Sequence, residues 1–359
     1  MKILITGGAG FIGGALIRKL LLTTKYKLFN LDKLSYASNL ESIKNISFSR
    51  DKDRYEFLNI DLYNFDKTKE AIEYAKPDKI IHLAAESHVD RSIETPSIFV
   101  KSNIVGTFNL IESARQYWEK SRSAQGNFVF HHVSTDEVFG SLGSIGKFNE
   151  TTRYDPRSPY SASKASSDHL VRSYFYTYGL PTLITNCSNN YGPWQFPEKL
   201  IPLVILKAIN NEIIPLYGDG SNIRDWLFVE DHVDAIIKIW DKGKIGETYC
   251  IGGKSEKSNK MIVEIICEIL DKKLNKNNSH KQLITYVKDR PGHDLRYAID
   301  PNKIQKRLNW QPTFNFEEGI KTTIDWYLKN VEWCKKRLIT SGYDGDRLGI
   351  NSTIDSLNI

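Results

Sequence analysis

Along the first half of the chain, short apolar runs alternate with longer stretches in which apolar residues recur at helical spacing. Ile3-Leu4-Ile5 is followed by helical spacing from Ala15 to Leu22, and further strands are predicted over Lys27 to Leu31, Tyr55 to Ile60, Asp78 to Leu83, Asn127 to Val133 and Thr182 to Cys187. Ser97 to Trp118 reads as one long helix, with Asn103 on its path and Phe99, Phe108 and Leu110 spaced for burial; it could instead offer a dimer face. Strands alternating with helices predict an α/β fold built on a doubly wound parallel sheet. Beyond Pro181 the alternation changes. Ser188 to Trp194 reads as a turn-rich loop, and the chain beyond it mixes short strands with helices in a smaller mixed α/β lobe. We place the boundary near Asn186, giving a first domain over 1–186, a second lobe over 187–340 and a loose polar tail over 341–359. Segments near 224–241, notably Arg224 to Val229 and the helix from Glu230, are free to return to the first domain.

Composition narrows the class. A chain of 359 residues, 40% hydrophobic and 26% charged, has enough material for two lobes and an ordinary balance for a folded protein. The net charge of +6 is scattered, and the Lys/Asn-rich patch from Lys272 to Lys281 lacks interleaved aromatics. That patch reads as a solvated loop rather than a nucleic-acid surface. Cys187, Cys250, Cys267 and Cys334 are widely spaced without a C-x-x-C pair, so neither a metal site nor a disulfide framework is expected, which fits a reducing cytosol. No run is long and apolar enough to predict a membrane span. The apolar start is broken by Gly7, Gly8, Gly10, Gly13 and Gly14, so it reads as strand, turn and helix rather than a secretory signal.

That start carries the first chemistry. Thr6-Gly7-Gly8-Ala9-Gly10-Phe11-Ile12-Gly13 lies between a strand and a helix, the arrangement in which glycines let the backbone approach a pyrophosphate and the helix amino end presents free N–H groups. A lone G-x-G-x-x-G is weak, but Asp32 follows about 20 residues on at a strand end, where a carboxylate would take ribose hydroxyls. The same charge repels a 2′-phosphate, favouring NAD over NADP, although Lys33 beside it leaves the alternative open. A Rossmann-type nucleotide-binding sheet is therefore expected. Asp61-Leu62 ends the third strand near the adenine edge, and the small Ala84 and Ala85 end the fourth. His88 and Asp90 read as polar supports of a strand-end loop, without chemistry of their own.

The second concentration of chemistry is Ser134-Thr135-Asp136-Glu137-Val138-Phe139 at the end of a buried strand, followed by Tyr160-Ser161-Ala162-Ser163-Lys164 on a helix that Ser158 and Pro159 would start. Tyrosine and lysine four apart share a helix face. An exposed acidic strand end is the plainer reading of Asp136-Glu137, but a Tyr/Lys pair downstream points to proton chemistry.

With these features in this order, the chain resembles the extended short-chain dehydrogenase/reductases and, within them, the dTDP-glucose 4,6-dehydratases. His82-Leu83-Ala84-Ala85-Glu86-Ser87-His88-Val89-Asp90-Arg91-Ser92 and Asp289-Arg290-Pro291-Gly292-His293-Asp294 strengthen the likeness, which runs from Met1 to about Gly349. The resemblance implies NAD as cofactor, a nucleotide sugar (dTDP-glucose) as substrate and a homodimer. It assigns Asp136 as acid, Glu137 as base, Tyr160 as base of an oxidation step supported by Lys164, and Thr135 as the holder of the sugar 4-hydroxyl. Cofactor contacts fall on Gly7, Gly10, Phe11, Ile12, Gly13, Asp32, Lys33, Ser35, Asp61, Leu62, Ala84, Ala85, Ser134, Tyr160, Lys164 and Asn190. Substrate contacts fall on Ser87, Thr135, Asn189, Lys199, Leu200, Pro215, Tyr217, Arg224, Asn259, Arg290 and His293. Salt bridges for the arginines and helix capping for Asn259 remain competing readings, as do an epimerase or decarboxylase of the same family and a non-catalytic NAD-binding regulator. Gly14 departs from the serine usual at that place.

Overall fold

The computed structural model describes residues 1–44, 53–121, 126, 128–275 and 278–341. Its strands are β1 (Lys2–Thr6), β2 (Lys27–Asp32), β3 (Tyr55–Asn59), β4 (Lys79–His82), β5 (Val129–Thr135), β6 (Thr182–Cys187), β7 (Asn189–Tyr191), β8 (Ile214–Tyr217), β9 (Ile223–Phe228), β10 (Thr248–Ile251), β11 (Glu256–Ser258) and β12 (Ile284–Val287). A seven-stranded sheet has the order β10-β6-β5-β4-β1-β2-β3, parallel throughout. The order reverses between β1 and β4, which opens a crevice at their carboxyl ends. Asn127, expected to begin β5, lies outside the described residues, as does the tail from 342 onward.

Side-chain alternation explains the two-sided cover. Ile3 and Ile5 of β1 pack with Leu16 and Leu20 of α1 (Phe11–Thr23), while Leu4 between them packs with Ile72 of α2 (Phe65–Ala75). After α3 (Val89–Glu94) and α4 (Pro96–Phe99), α5 (Gly106–Lys120) and α6 (Pro159–Tyr178) add Leu110, Ile111 and Val171 to the Leu4 side. A buried strand must be apolar on both faces, hence the continuous apolar runs in the sequence.

Past β6, the chain builds a second core around α7 (Leu200–Ile209), with Val204 and Ile205 packed on Phe228, Ile266 and Ile320. β9 lies between β7 and β11 in a three-stranded sheet, and β8 pairs with β12. The helix that follows β9, α8 (Val229–Lys242), instead places Val233, Ile236 and Trp240 against α1 and β1, and β10 joins the large sheet beside β6.

Several expectations need correction. The helix drawn over Ser97 to Trp118 has a π-helical stretch, Val100–Val105, between α4 and α5. Phe108 is 43% exposed although Phe99 and Leu110 are buried; two residues before Leu110 on α5, it faces about half a turn away from that buried position at 100° per residue. The supposed loop after β6 contains β7. The Lys272 patch begins inside α9 (Asn259–Leu274), whose last turn holds Lys272 and Lys273.

Candidate active site

The crevice at the strand ends is one continuous cleft, and every residue the sequence assigned to the cofactor lines it. Gly7 leaves β1 at φ +71, where a Cβ would fall 2.6 Å from the Ala84 amide nitrogen. A Cβ on Gly13 would lie 2.2 Å from the Gly7 carbonyl oxygen. Only glycine satisfies both the turn and this contact. The N-terminus of α1 has no side-chain cap, so its first N–H groups are available to an anion beside the turn, and this cradle fits a dinucleotide pyrophosphate.

Asp32 ends β2 and accepts from the amides of Ala9 (3.0 Å) and Leu34 (2.8 Å) and from Ser38 Oγ (3.1 Å), so one carboxylate ties the glycine turn to the loop beyond the strand. Lys33 does not stand free beside it. Its ammonium lies 2.9 Å from Glu86 Oε1 and donates to Ser102 Oγ at 2.9 Å. The cation that left NADP open is already neutralised by a carboxylate.

At the end of β5, Thr135 caps a 3₁₀ turn, Asp136–Phe139: its hydroxyl accepts from the Glu137 amide and donates to Asp136 Oδ1, both at 3.3 Å. The turn holds two adjacent carboxyls in unlike surroundings. Burial first, then Glu137 and Asp225, pushes the Asp136 carboxyl well above its ordinary range. Burial also raises Glu137, but Arg290, Arg224 and Lys199 oppose it. Neighbouring acids thus differ in how readily they ionise.

Ser158 caps α6 in a reciprocal arrangement with Ser161, with Pro159 in the first turn. This sets Tyr160 and Lys164 at the cleft floor. Lys164 Nζ donates to the Val133 carbonyl at 3.0 Å, and burial brings its pKa down to about 8. Burial and Glu137 hold the Tyr160 phenol well above its usual value, so in the protein alone it is a weak acid rather than a ready base.

Of the expected substrate contacts, Ser87, Thr135, Asn189 and Lys199 line the cleft, and Lys199 Nζ donates to the Ser87 carbonyl at 2.9 Å. The others come from the second lobe: Leu200 opens α7, Pro215 and Tyr217 lie on β8, Arg224 on β9, and Arg290 and His293 follow β12. The arginines differ. Arg224 donates to the carbonyls of Ile223 (2.7 Å) and Asp294 (3.0 Å) and lies over the Tyr297 ring, while Arg290 meets Asp90 at 3.4 Å. Asp90 also accepts from Tyr217 at 2.9 Å, a supporting contact of the kind expected for it. His293 sits 2.6 Å from Asp289, and burial takes its pKa down to about 4. Asn259 is the first residue of α9, whose cap is Ser258, so the capping alternative for Asn259 is set aside. Asn190 Oδ1 lies 2.9 Å from His232 Nδ1.

The cleft also contains residues the sequence did not single out for it. Ser102 comes from the π-helical stretch, where Asn103 bonds both main-chain groups of Glu86 and Ser163 Oγ; the polar Asn103 inside an apolar helix was the available signal. Glu198, 1% exposed, accepts from Tyr36 (2.7 Å) and Arg91 (3.3 Å). No pattern in the sequence pairs those three.

A family model described as GDP-mannose 4,6 dehydratase matches residues 4–323. The dTDP-glucose 4,6-dehydratase of Salmonella typhimurium is 54% identical over 343 residues, covering 93% of this chain and 94% of that one. Among solved structures, the dTDP-glucose 4,6-dehydratase of Bacillus anthracis in complex with NAD superposes with a TM-score of 0.83 at 42% identity, covering 94% of this chain and 99% of that chain. The Streptomyces venezuelae enzyme of the same name, with NAD bound, gives 0.85 at 39% identity, covering 94% and 100%. Identity at this level across nearly the whole length, with the glycine turn and both acids in place, settles the kinship: the chain belongs to the nucleotide-sugar dehydratase family described by that model, alongside the dTDP-glucose 4,6-dehydratases.

Proposed function

We propose that this chain uses NAD to convert dTDP-glucose into dTDP-4-keto-6-deoxyglucose, removing water across C5 and C6. The unequal acid pair at the end of β5 carries the reading. Held by the glycine turn and the Asp32 side, NAD would supply a reversible hydride acceptor for the C4 and C6 positions. Thr135 holds the 4-hydroxyl and Tyr160 receives its proton; the buried ammonium of Lys164 favours the phenolate that Tyr160 needs, against the burial that opposes it. With C4 oxidised, the C5 proton is α to a carbonyl, and Glu137, its charge favoured by three cations, removes it. Asp136, whose protonated form burial favours, gives its proton to the 6-hydroxyl, which departs as water, and a proton returns to C5 as C6 is reduced. Arg224 and Arg290 offer planar donors to the diphosphate.

Substrate carrying deuterium at C4 tests the scheme: the label is expected at C6 of a 4-keto-6-deoxy product. Label lost to solvent, or an epimer as product, overturns it. The large sheet, completed by α8 and β10, then holds the cofactor together with Asn190 just beyond it, and the rest of the second lobe holds most of the sugar nucleotide. A homodimer is supported by the apolar residues that α5 and α6 leave outside, Phe108 at 43% and Tyr176 at 79% exposure. A cytosolic setting is supported by four free, buried cysteines, and no described helix is long and apolar enough to cross a membrane.

A further inference from the structure

Lys164 is 4% exposed, and an ammonium buried that deeply needs a negative charge nearby to stay ionised. Its contacts lead to one. Nζ lies 3.4 Å from His132 Nε2, and the same nitrogen lies 3.1 Å from Asp168 Oδ1, one turn further along α6. Asp168 is fully buried and firmly held: Tyr154 donates to its Oδ2 at 2.7 Å and Asn186 at 3.1 Å, and Asn186 also donates to the Thr135 carbonyl at 3.0 Å. A wholly buried carboxylate keeps its charge only when paired and hydrogen-bonded, as Asp168 is.

The other groups around Lys164 leave Asp168 as the charge that matters. From β5, His132 is neutral, with its pKa brought down to about 4, and His82 of β4, whose ring is 5.1 Å from that of His132, is pushed down by burial as well. Cys187 of β6 is a thiol pushed up to about 12. On the 3₁₀ turn, burial pushes the Asp136 carboxyl well above its ordinary range and Glu137 faces Arg224 and Arg290. Along α6 itself stand Tyr160, un-ionised, and Arg172, which donates to Tyr154.

We propose that Asp168, whose carboxylate meets the same His132 nitrogen that the Lys164 ammonium approaches, is a positioning residue that acts through its charge to keep Lys164 protonated and so contributes the alkaline limb of the reaction. The inference rests on the role given to Lys164 above. Its test is the titration of Lys164 in the NAD-loaded protein, followed by the ¹³Cε signal of labelled lysine and assigned through Lys164→Arg. In Asp168→Asn the Lys164 midpoint is expected to fall by about one unit, since removing an anion disfavours the ammonium. The protonated fraction at pH 8 then drops from about one half to about one tenth, so turnover there falls about fivefold and the alkaline limb of kcat/KM moves down by the same unit, with KM for dTDP-glucose unchanged. His132→Gln, which keeps a neutral polar group between the two charges, is expected to leave the midpoint in place, because the carboxylate acts on Lys164 through its charge. Lys164 titrating in Asp168→Asn as in the unsubstituted protein overturns the proposal, even if activity falls, because a merely structural role lowers activity without moving the midpoint. Should that variant not fold, Asp168→Ser carries the same measurement. A failure of the dehydratase reading would appear in the assay of the unsubstituted protein, and the lysine titration stands apart from it.

Discussion

In the proposed reaction Tyr160 and the two acids divide the work, and single substitutions test their separate roles. Tyr160→Phe is expected to cut turnover about a hundredfold or more without unfolding the protein, as for loss of a general acid-base group; unchanged turnover would return the chain to the binding-protein reading. Asp136→Asn should retain C4 oxidation and C5 exchange with solvent deuterium while elimination slows, and loss of exchange together with elimination would contradict the separate roles. Their protonation also sets a pH profile. In the proposed roles Asp136 works while protonated and fails as pH rises through its raised pKa, whereas Glu137 works while ionised and fails as pH falls through its own. A bell-shaped kcat is therefore expected, with Lys164 contributing an alkaline limb near its value of about 8. The residue types were legible in the sequence. Their charge states were not, because those depend on burial and on Arg224, Arg290 and Asp225, far away along the chain.

Elements announced themselves where local chemistry fixes them. Ser158 and Pro159 mark the start of α6 because a cap and a proline act within one turn. The positive φ at Gly7 belongs to the same class, and Gly7→Ala is expected to lose bound NAD and lower the melting temperature, since the added methyl meets the Ala84 amide and the left-handed backbone costs a further 1 kcal/mol or so. Normal NAD content in that variant would sink the cradle. Helix pairing offers a pH test. Glu112 of α5 holds Arg115 and accepts from Tyr174 of α6 at 3.0 Å, and chiefly through Arg115 its pKa is lowered to about 2. A depressed folded pKa gives stability that is present above the ordinary carboxylate value and lost as pH falls toward 2. Glu112→Gln should flatten that part of an acid-unfolding curve. The π-helical stretch was not legible, because it depends on what the helix packs against, whereas the outward face of Phe108 follows from its spacing to Leu110.

For the whole molecule, the open matter is assembly. Sedimentation of the NAD-loaded protein is expected to give twice the chain mass, with Phe108→Glu shifting it toward the monomer; a monomer throughout would remove the homodimer. By itself the sequence determined the parallel sheet, the glycine turn with Asp32, the acid pair and the Tyr/Lys helix, since each is written in neighbouring residues through periodicity, capping and backbone sterics. Tertiary structure alone decided that Lys33 is neutralised by Glu86, that β9 enters the small sheet while α8 returns to α1, and that His132 and Asp168 stand behind Lys164. Those outcomes come from charges and apolar faces brought together from distant parts of the chain, and burial, which no local pattern records, sets their strength.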